Sequence, residues 1–206
     1  ILSRALRHNI RNKVDVVKAN NRTLVDRLDG EARNRARDAT AAADDLLSVS
    51  AKSRVMKEIV EHRGQTTSVE LAGLLTDIVD EYDRAYPETS FVTECPASCS
   101  LTVTPDISHA LENLVENAAE HNPRDDAEVR VTLEANADGA VITVEDNGRG
   151  IPESELAVLE RGYEDVLNHG SGIGLWIVTM VVDEIDGTIE YDAGDDGTEI
   201  ALRIEN

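Results

Sequence analysis

The sequence predicts an α+β protein: a helical hairpin over residues 1–63, then a second domain over residues 67–206 in which short strands and helices are interleaved. Two observations carry this. Up to Glu61 apolar side chains recur at helical spacing, broken only at Asp29-Gly30-Glu31; beyond Thr66 the pattern changes to short alternating runs and helical faces, punctuated by Gly, Pro and Asp. With 206 residues either part can bury a core, and since aromatics make up only 3% of the chain, Leu, Val, Ile and Ala must fill it.

In the first helix, Ile1 to Leu28, the stripe is Leu6, Ile10, Val17 and Leu24, interrupted by Lys13 and Asn20. In the second, reaching about Glu61, it is Ala39, Ala42, Leu46, Val49, Ser53, Met56 and Val60 in three-four alternation. One hairpin cannot hide both stripes, whereas pairing two hairpins into a dimeric four-helix bundle does, so a homodimer is expected. After a linker, Glu61 to Thr66, a capping box at Thr67 to Glu70 is expected to start a helix whose buried face is Leu71, Leu74, Leu75, Ile78 and Val79. Phe91–Thr93 and Leu101–Val103 read as strands, and Thr104-Pro105 as the cap and first residue of the next helix. That helix turns Leu111, Leu114, Val115 and Ala118 inward and carries Asn113, Asn117 and His121 every four residues on another face. Glu128–Ala135 and Ala140–Val144 alternate around Asp138-Gly139 as a hairpin. A short helical stretch is expected over Glu155–Glu160, a buried helix over Trp176–Val182, and two closing strands, Thr188–Tyr191 and Thr198–Arg203, joined at Asp195-Asp196-Gly197.

Three stretches carry chemistry. In Asp146-Asn147-Gly148-Arg149-Gly150-Ile151, at the end of an alternating run, a carboxylate can accept from an amine, and two glycines let a flat ligand lie against bare backbone. Gly170-Ser171-Gly172-Ile173-Gly174-Leu175 opens a helix and so offers free N–H groups and a positive dipole end to an anion. Asparagine carbonyls, as at Asn113 and Asn117, suit a hard cation such as Mg²⁺ that stays bound to water and phosphate oxygens. A P-loop motif is absent.

Taken in order, these stretches resemble the ATP-binding domain of the GHKL superfamily, which includes gyrase-type topoisomerases, ninety-kilodalton heat-shock chaperones, mismatch-repair ATPases and sensor histidine kinases. Upstream, Ser3-Arg4-Ala5-Leu6-Arg7-His8-Asn9-Ile10-Arg11-Asn12 looks like the H-box of sensor histidine kinases. His8 lies about 200° around the helix from both Leu6 and Ile10, away from the apolar stripe and inside a collar of arginines. The resemblance covers essentially the whole chain. It implies a Bergerat-type α/β sandwich with a mixed sheet, autophosphorylation of His8 by ATP with Mg²⁺, and transfer to an aspartate of a response regulator receiver domain. It places Mg²⁺ on Asn117, the adenine amine on Asp146, and ATP against Asn113, His121, Gly148, Gly150, Ile151, Gly170, Ser171, Gly172, Gly174, Leu175 and Thr198. It also makes residues 152–169 a lid, with Tyr163 the nearest aromatic to a missing F-box and His169 beside the glycine loop. Asn9 stands where the family has an acidic proton acceptor, and an amide cannot serve as a base. Asn12 stands where the family positions water for dephosphorylation of the regulator. Two other readings compete: a dimeric module that binds nucleotide without turnover, and a GHKL ATPase, which would usually carry glutamate where Asn113 stands.

The net charge of -21 is uneven, with ten basic and four acidic side chains in the first 37 residues, which leaves the remainder more acidic than the whole. Such a surface repels phosphate backbones, so neither nucleic acid nor direct membrane contact is expected. Beginning at Ile1 inside a helical pattern, the chain reads as a soluble, cytoplasmic piece of a longer protein, with room upstream for a sensor or membrane anchor. Cys95 and Cys99 read as incidental or structural thiols or as a local disulfide. Only four lysines against sixteen arginines, in so acidic a chain, points to function in concentrated salt, where a Debye length of ~3 Å removes self-repulsion. The chain is therefore expected to keep its circular dichroism spectrum in molar salt and to lose part of it on dialysis; an unchanged spectrum in both would rule this out.

Overall fold

Uninterrupted helical periodicity becomes two long helices, α1 over Leu2–Arg27 and α2 over Gly30–His62. Gly30 has φ +58°, which lets the chain reverse between them. The computed structural model describes residues 2–120, 122–137, 139–151 and 172–205, with the backbone alone for residues 2–11. His121, Asp138, Gly170, Ser171, Tyr163, His169 and the expected Glu155–Glu160 helix fall outside the described residues. By contacts the chain divides into two units, residues 1–54 and residues 55–206.

Each helix of the first unit carries two rows of small and apolar side chains. Ala36 and Ala43 are buried, Thr40 and Leu47 half-buried on the same row of α2; Val14 and Val25 on α1 and Leu28 just after it are half-buried, and Lys18 pairs with Asp44. These rows close the hairpin. The other row contains residues singled out in the sequence, and it stays open: Val17, Leu24, Leu46 and Val49 are exposed, Leu46 by 59%.

In the second unit Thr67–Glu70 is strand β1, not a capping box. It pairs antiparallel with β3 (Ser100–Val103), and this pairing displaces the local capping option. Glu70 itself becomes the N-cap of α3 (Leu71–Ala85): Oε2 accepts from Gly73 N at 2.6 Å and Oε1 from Cys99 N at 2.8 Å. Both cysteines are free thiols, pushed up in pKa by burial.

The main sheet joins β2 (Ser90–Glu94), β4 (Glu128–Ala135), β5 (Gly139–Asp146), β6 (Thr188–Gly194) and β7 (Gly197–Glu205) in the order β2-β4-β5-β7-β6. Only β2 and β4 run parallel, so the sheet is mixed. Alternation puts Val129, Val131 and Leu133, then Ala140, Ile142 and Val144, then Ile200, Leu202 and Ile204 on one face, all buried. Against that face pack α3, α4 (Ile107–Glu120) and α5 (Ile173–Glu184). The other face is polar, with Arg130 between Glu94 and Glu128. Among the described residues no helix is long and apolar enough to cross a membrane.

Ile142 is 0% exposed at the centre of the inner face. Ile142→Ala should lower the unfolding free energy by about 2–5 kcal/mol, read from urea denaturation, while Glu134→Ala on the solvated face should change it by about 0.5 kcal/mol or less.

Candidate functional site

Two core rows end in polar residues. Along β5 the inward positions run Ala140, Ile142, Val144 and then Asp146; along β7, read backwards, they run Ile204, Leu202, Ile200 and then Thr198. Asp146 and Thr198 are register partners, so both polar side chains stand at the same edge of the core. The helix above them is α4, and Leu114, Asn117 and Ala118 face this edge at i, i+3 and i+4. Together with Arg149, Gly150, Ile151 and Leu175 they line a cavity of about 100 Å³.

Asp146 is half-buried, and burial pushes its pKa up. Hydrogen bonds oppose that shift: Gly148 N donates to Oδ1 at 2.7 Å, and Thr198 donates from both side chain and backbone. An amine donor entering the cavity would complete the solvation that burial removes. Beside it, Val144, Ile151, Leu175 and Ile200 offer flat apolar walls. A carboxylate next to such walls suits an aminated heterocycle.

Both glycines of the loop are required sterically. A Cβ on Gly148 would sit 2.7 Å from Asp146 Oδ1, and one on Gly150, at φ +73°, would sit 2.3 Å from the Gly194 carbonyl oxygen. The loop is braced from outside by residues whose role the sequence did not signal. Asn147 Oδ1 accepts from Asn122 Nδ2 at 2.7 Å and Glu128 N at 2.9 Å, while its Nδ2 donates to the Asp126 carbonyl at 2.9 Å. Arg124 reaches the carbonyls of Gly148 and Asp195. These bonds link segments about 20 or more residues apart, so no local pattern announces them.

Of the residues expected to act together, Asn117, Asp146, Gly150, Ile151, Leu175 and Thr198 line one cavity, and Gly148 fixes its floor. Gly172, at φ +90°, caps α5, and Gly174 lies in its first turn. Asn113 does not line the cavity: it is 6% exposed and its Nδ2 donates to the His109 carbonyl at 2.7 Å. Four residues advance a helix by about 400°, so Asn113 and Asn117 are offset by about 40° and diverge. Asn113 Oδ1 is buried without a hydrogen-bond partner. His8, Asn9 and Asn12 lie on α1, in the other unit.

A helical hairpin, then a mixed sheet with helices on one face and a D-x-G-x-G loop at the end of a central strand, define a nucleotide-binding domain of the P-loop-free kind. Residues 102–206 match the model of the histidine kinase-, DNA gyrase B- and HSP90-like ATPase family, and the chain belongs to that family. It is 28% identical over 205 residues to the sensor histidine kinase ZraS of Klebsiella oxytoca, covering 93% of this chain and 42% of that protein. It is 33% identical over 100 residues to the C4-dicarboxylate transport sensor protein DctB of Rhizobium meliloti, covering 48% of this chain and 16% of that one. The chain thus spans less than half the length of these curated relatives. In fold it matches full-length ShkA, solved in complex with AMPPNP, with a TM-score of 0.63 at 20% identity over 98% of this chain and 45% of that one.

Asp146→Asn should leave the fold intact and weaken ATP binding about 10- to 100-fold, the usual loss for a hydrogen bond to a charged acceptor. Isothermal titration calorimetry checks this, and unchanged affinity would separate the carboxylate from the nucleotide.

Proposed function

We propose that the chain is the transmitter core of a sensor histidine kinase that phosphorylates His8 with ATP and passes the phosphoryl group to an aspartate of a response regulator receiver domain. The observation that carries this reading is the cavity in which Asp146, the only carboxylate among its described lining residues, faces apolar walls beneath Asn117, in a chain that also bears His8 in an H-box-like helix. Adenine would lie against Val144, Leu175 and Ile200 with its amine on Asp146. The phosphates would extend toward the first turn of α5, where Gly172 leaves N–H groups free for an anion.

Mg²⁺ fits the amide oxygen that Asn117 brings to the cavity, a donor suited to a hard cation that keeps water and phosphate oxygens as its other ligands. The ion would neutralise charge on the phosphates, and the protein's own residues position and shield. In the transfer a ring nitrogen of His8 forms a bond to the γ-phosphorus as the bond to the bridging oxygen breaks and ADP leaves. Asn9 supplies no base for the ring proton.

What supports a second copy is the open row Val17, Leu24, Leu46 and Val49: two such hairpins would cover it in a four-helix bundle. A cytoplasmic setting follows from the substrate, since ATP is held there.

The wild-type chain, given γ-labelled ATP and Mg²⁺, should acquire label that is lost in acid and kept in base, and His8→Ala should reduce incorporation to background. Label retained by His8→Ala overturns the assignment. Nucleotide binding without label in the wild type would favour the binding module that Asn9 suggests, and release of free phosphate without protein label the ATPase.

A further inference from the structure

The last two turns of α2 belong to the α/β unit, and three contacts hold them there. Ile59 is 3% exposed in its core. His62, the final residue of the helix, places Nδ1 3.0 and 3.1 Å from the two carboxylate oxygens of Asp106. One residue beyond Arg63, Gly64 turns the chain at φ +78° and donates its N–H to Glu184 Oε1 at 2.9 Å. Asp106 stands immediately before α4, the helix that carries Asn117; Glu184 closes α5, the helix that the glycine loop opens.

Asp106 is 3% exposed. A carboxylate so far from water needs donors and a compensating charge, and an imidazolium supplies both, whereas a neutral ring supplies one N–H at most and no charge. The charged groups that act on His62 are acidic: Asp106, immediately before α4, and Glu58 and Glu61 on its own helix, with Lys57 paired to Glu61; beyond them His109 pairs with Glu112 on α4, and Glu184 of α5 accepts from Gly64. The hydrogen bond to Asp106, followed by the charge of Asp106, holds His62 above the usual imidazole range, with Glu58 and Glu61 adding to the effect and desolvation opposing it.

We propose that His62 is a positioning residue: in its protonated form it clasps Asp106 and fixes where linker 63–66 leaves the nucleotide domain, and loss of that proton frees the linker. The clasp itself is independent of the kinase reading, and only its consequence for turnover rests on it. Under that reading the nucleotide must be brought to His8, and the phosphorylated ring must afterwards be reached by a receiver domain. A linker with a fixed and a free state separates those steps. Because the folded-state pKa of His62 is raised, the clasp is at full strength below the ordinary imidazole value of about 6.5 and is lost as pH rises through the raised one.

The test uses the full chain with ring-labelled histidines. His62 should titrate above a free imidazole by nuclear magnetic resonance. Over the same window, amide exchange at Gly64, corrected for its intrinsic pH dependence, should lose protection by up to about tenfold for each pH unit by which the clasped ring outlasts a free one. His62→Gln should give low protection that ignores pH, and His62→Arg, a permanent cation, should restore protection at high pH. Protection that ignores pH in the wild type, or a step that survives in His62→Gln, overturns the proposal. In early-time labelling with ATP, the inflection at the His62 titration should vanish in His62→Gln; a chain that takes no label at all sinks the kinase reading while the exchange data still judge the clasp.

Discussion

Burying a carboxylate at the end of a hydrophobic row is the constraint on which the site depends. Val144 and Ile200 lead the core up to Asp146 and Thr198, and alternation gives those two positions no other face to point to. A half-buried acid without sufficient donors is destabilising, and here the opposition comes from the Gly148 N–H and from Thr198, which donates from side chain and backbone. Each neighbouring feature then serves to keep that arrangement open to a ligand. Gly148 and Gly150 leave out side chains where backbone and carboxylate must approach, and Asn147 and Arg124 tie the loop down so that it does not collapse into the cavity.

The parts of this arrangement that were legible in the sequence are the parts set by local pattern. Asp146 and the two glycines follow from a turn motif placed at the end of an alternating run, and Leu175 and Thr198 from the elements that flank it. Misreadings came where a long-range contact overrode a local preference. Thr67-x-x-Glu70 fits a capping box, but pairing of β1 with β3 is available to those residues, and Glu70 caps α3 from the position before it. Asn113 is a different case: its amide N–H goes to the carbonyl one turn back, a local bond that residue type and spacing do not reveal. The brace from Asn122 and Arg124 depends on the loop after α4 lying beside the turn after β5, which no spacing rule encodes.

The hairpin shows how a pattern can be right and incomplete. The row Ala39, Ala42, Leu46, Val49 is real, yet it is the outer one, while Ala36, Thr40 and Ala43 close the hairpin. On α2 the buried inner positions are the small Ala36 and Ala43, with Thr40 and Leu47 half-buried beside them, whereas Leu46 and Val49 are left to the surface. That division follows from packing: a wide side chain at Ala43 would force the two helices apart, whereas the one at Leu46 is largely exposed.

Charge then decides how an anionic nucleotide can lie in so acidic a protein. Beside Asp146 and Thr198 runs a groove edged by Glu145, Asp192, Asp195, Asp196 and Glu199, which would repel a triphosphate. Glycine-opened α5 and Arg149 lie on the cavity side, and the positive end of a helix favours an anion. If a base is anchored on Asp146 as proposed, the favourable direction for its phosphates among the described residues is past Asn117 toward the start of α5. Under the proposed function, Asp146 would select the amine of the base, and the surrounding acids would set the direction of the phosphates by repulsion. Screening by salt weakens that repulsion along the exposed groove far more than it weakens contacts inside the cavity, so concentrated salt would relax the second control and leave the first in place.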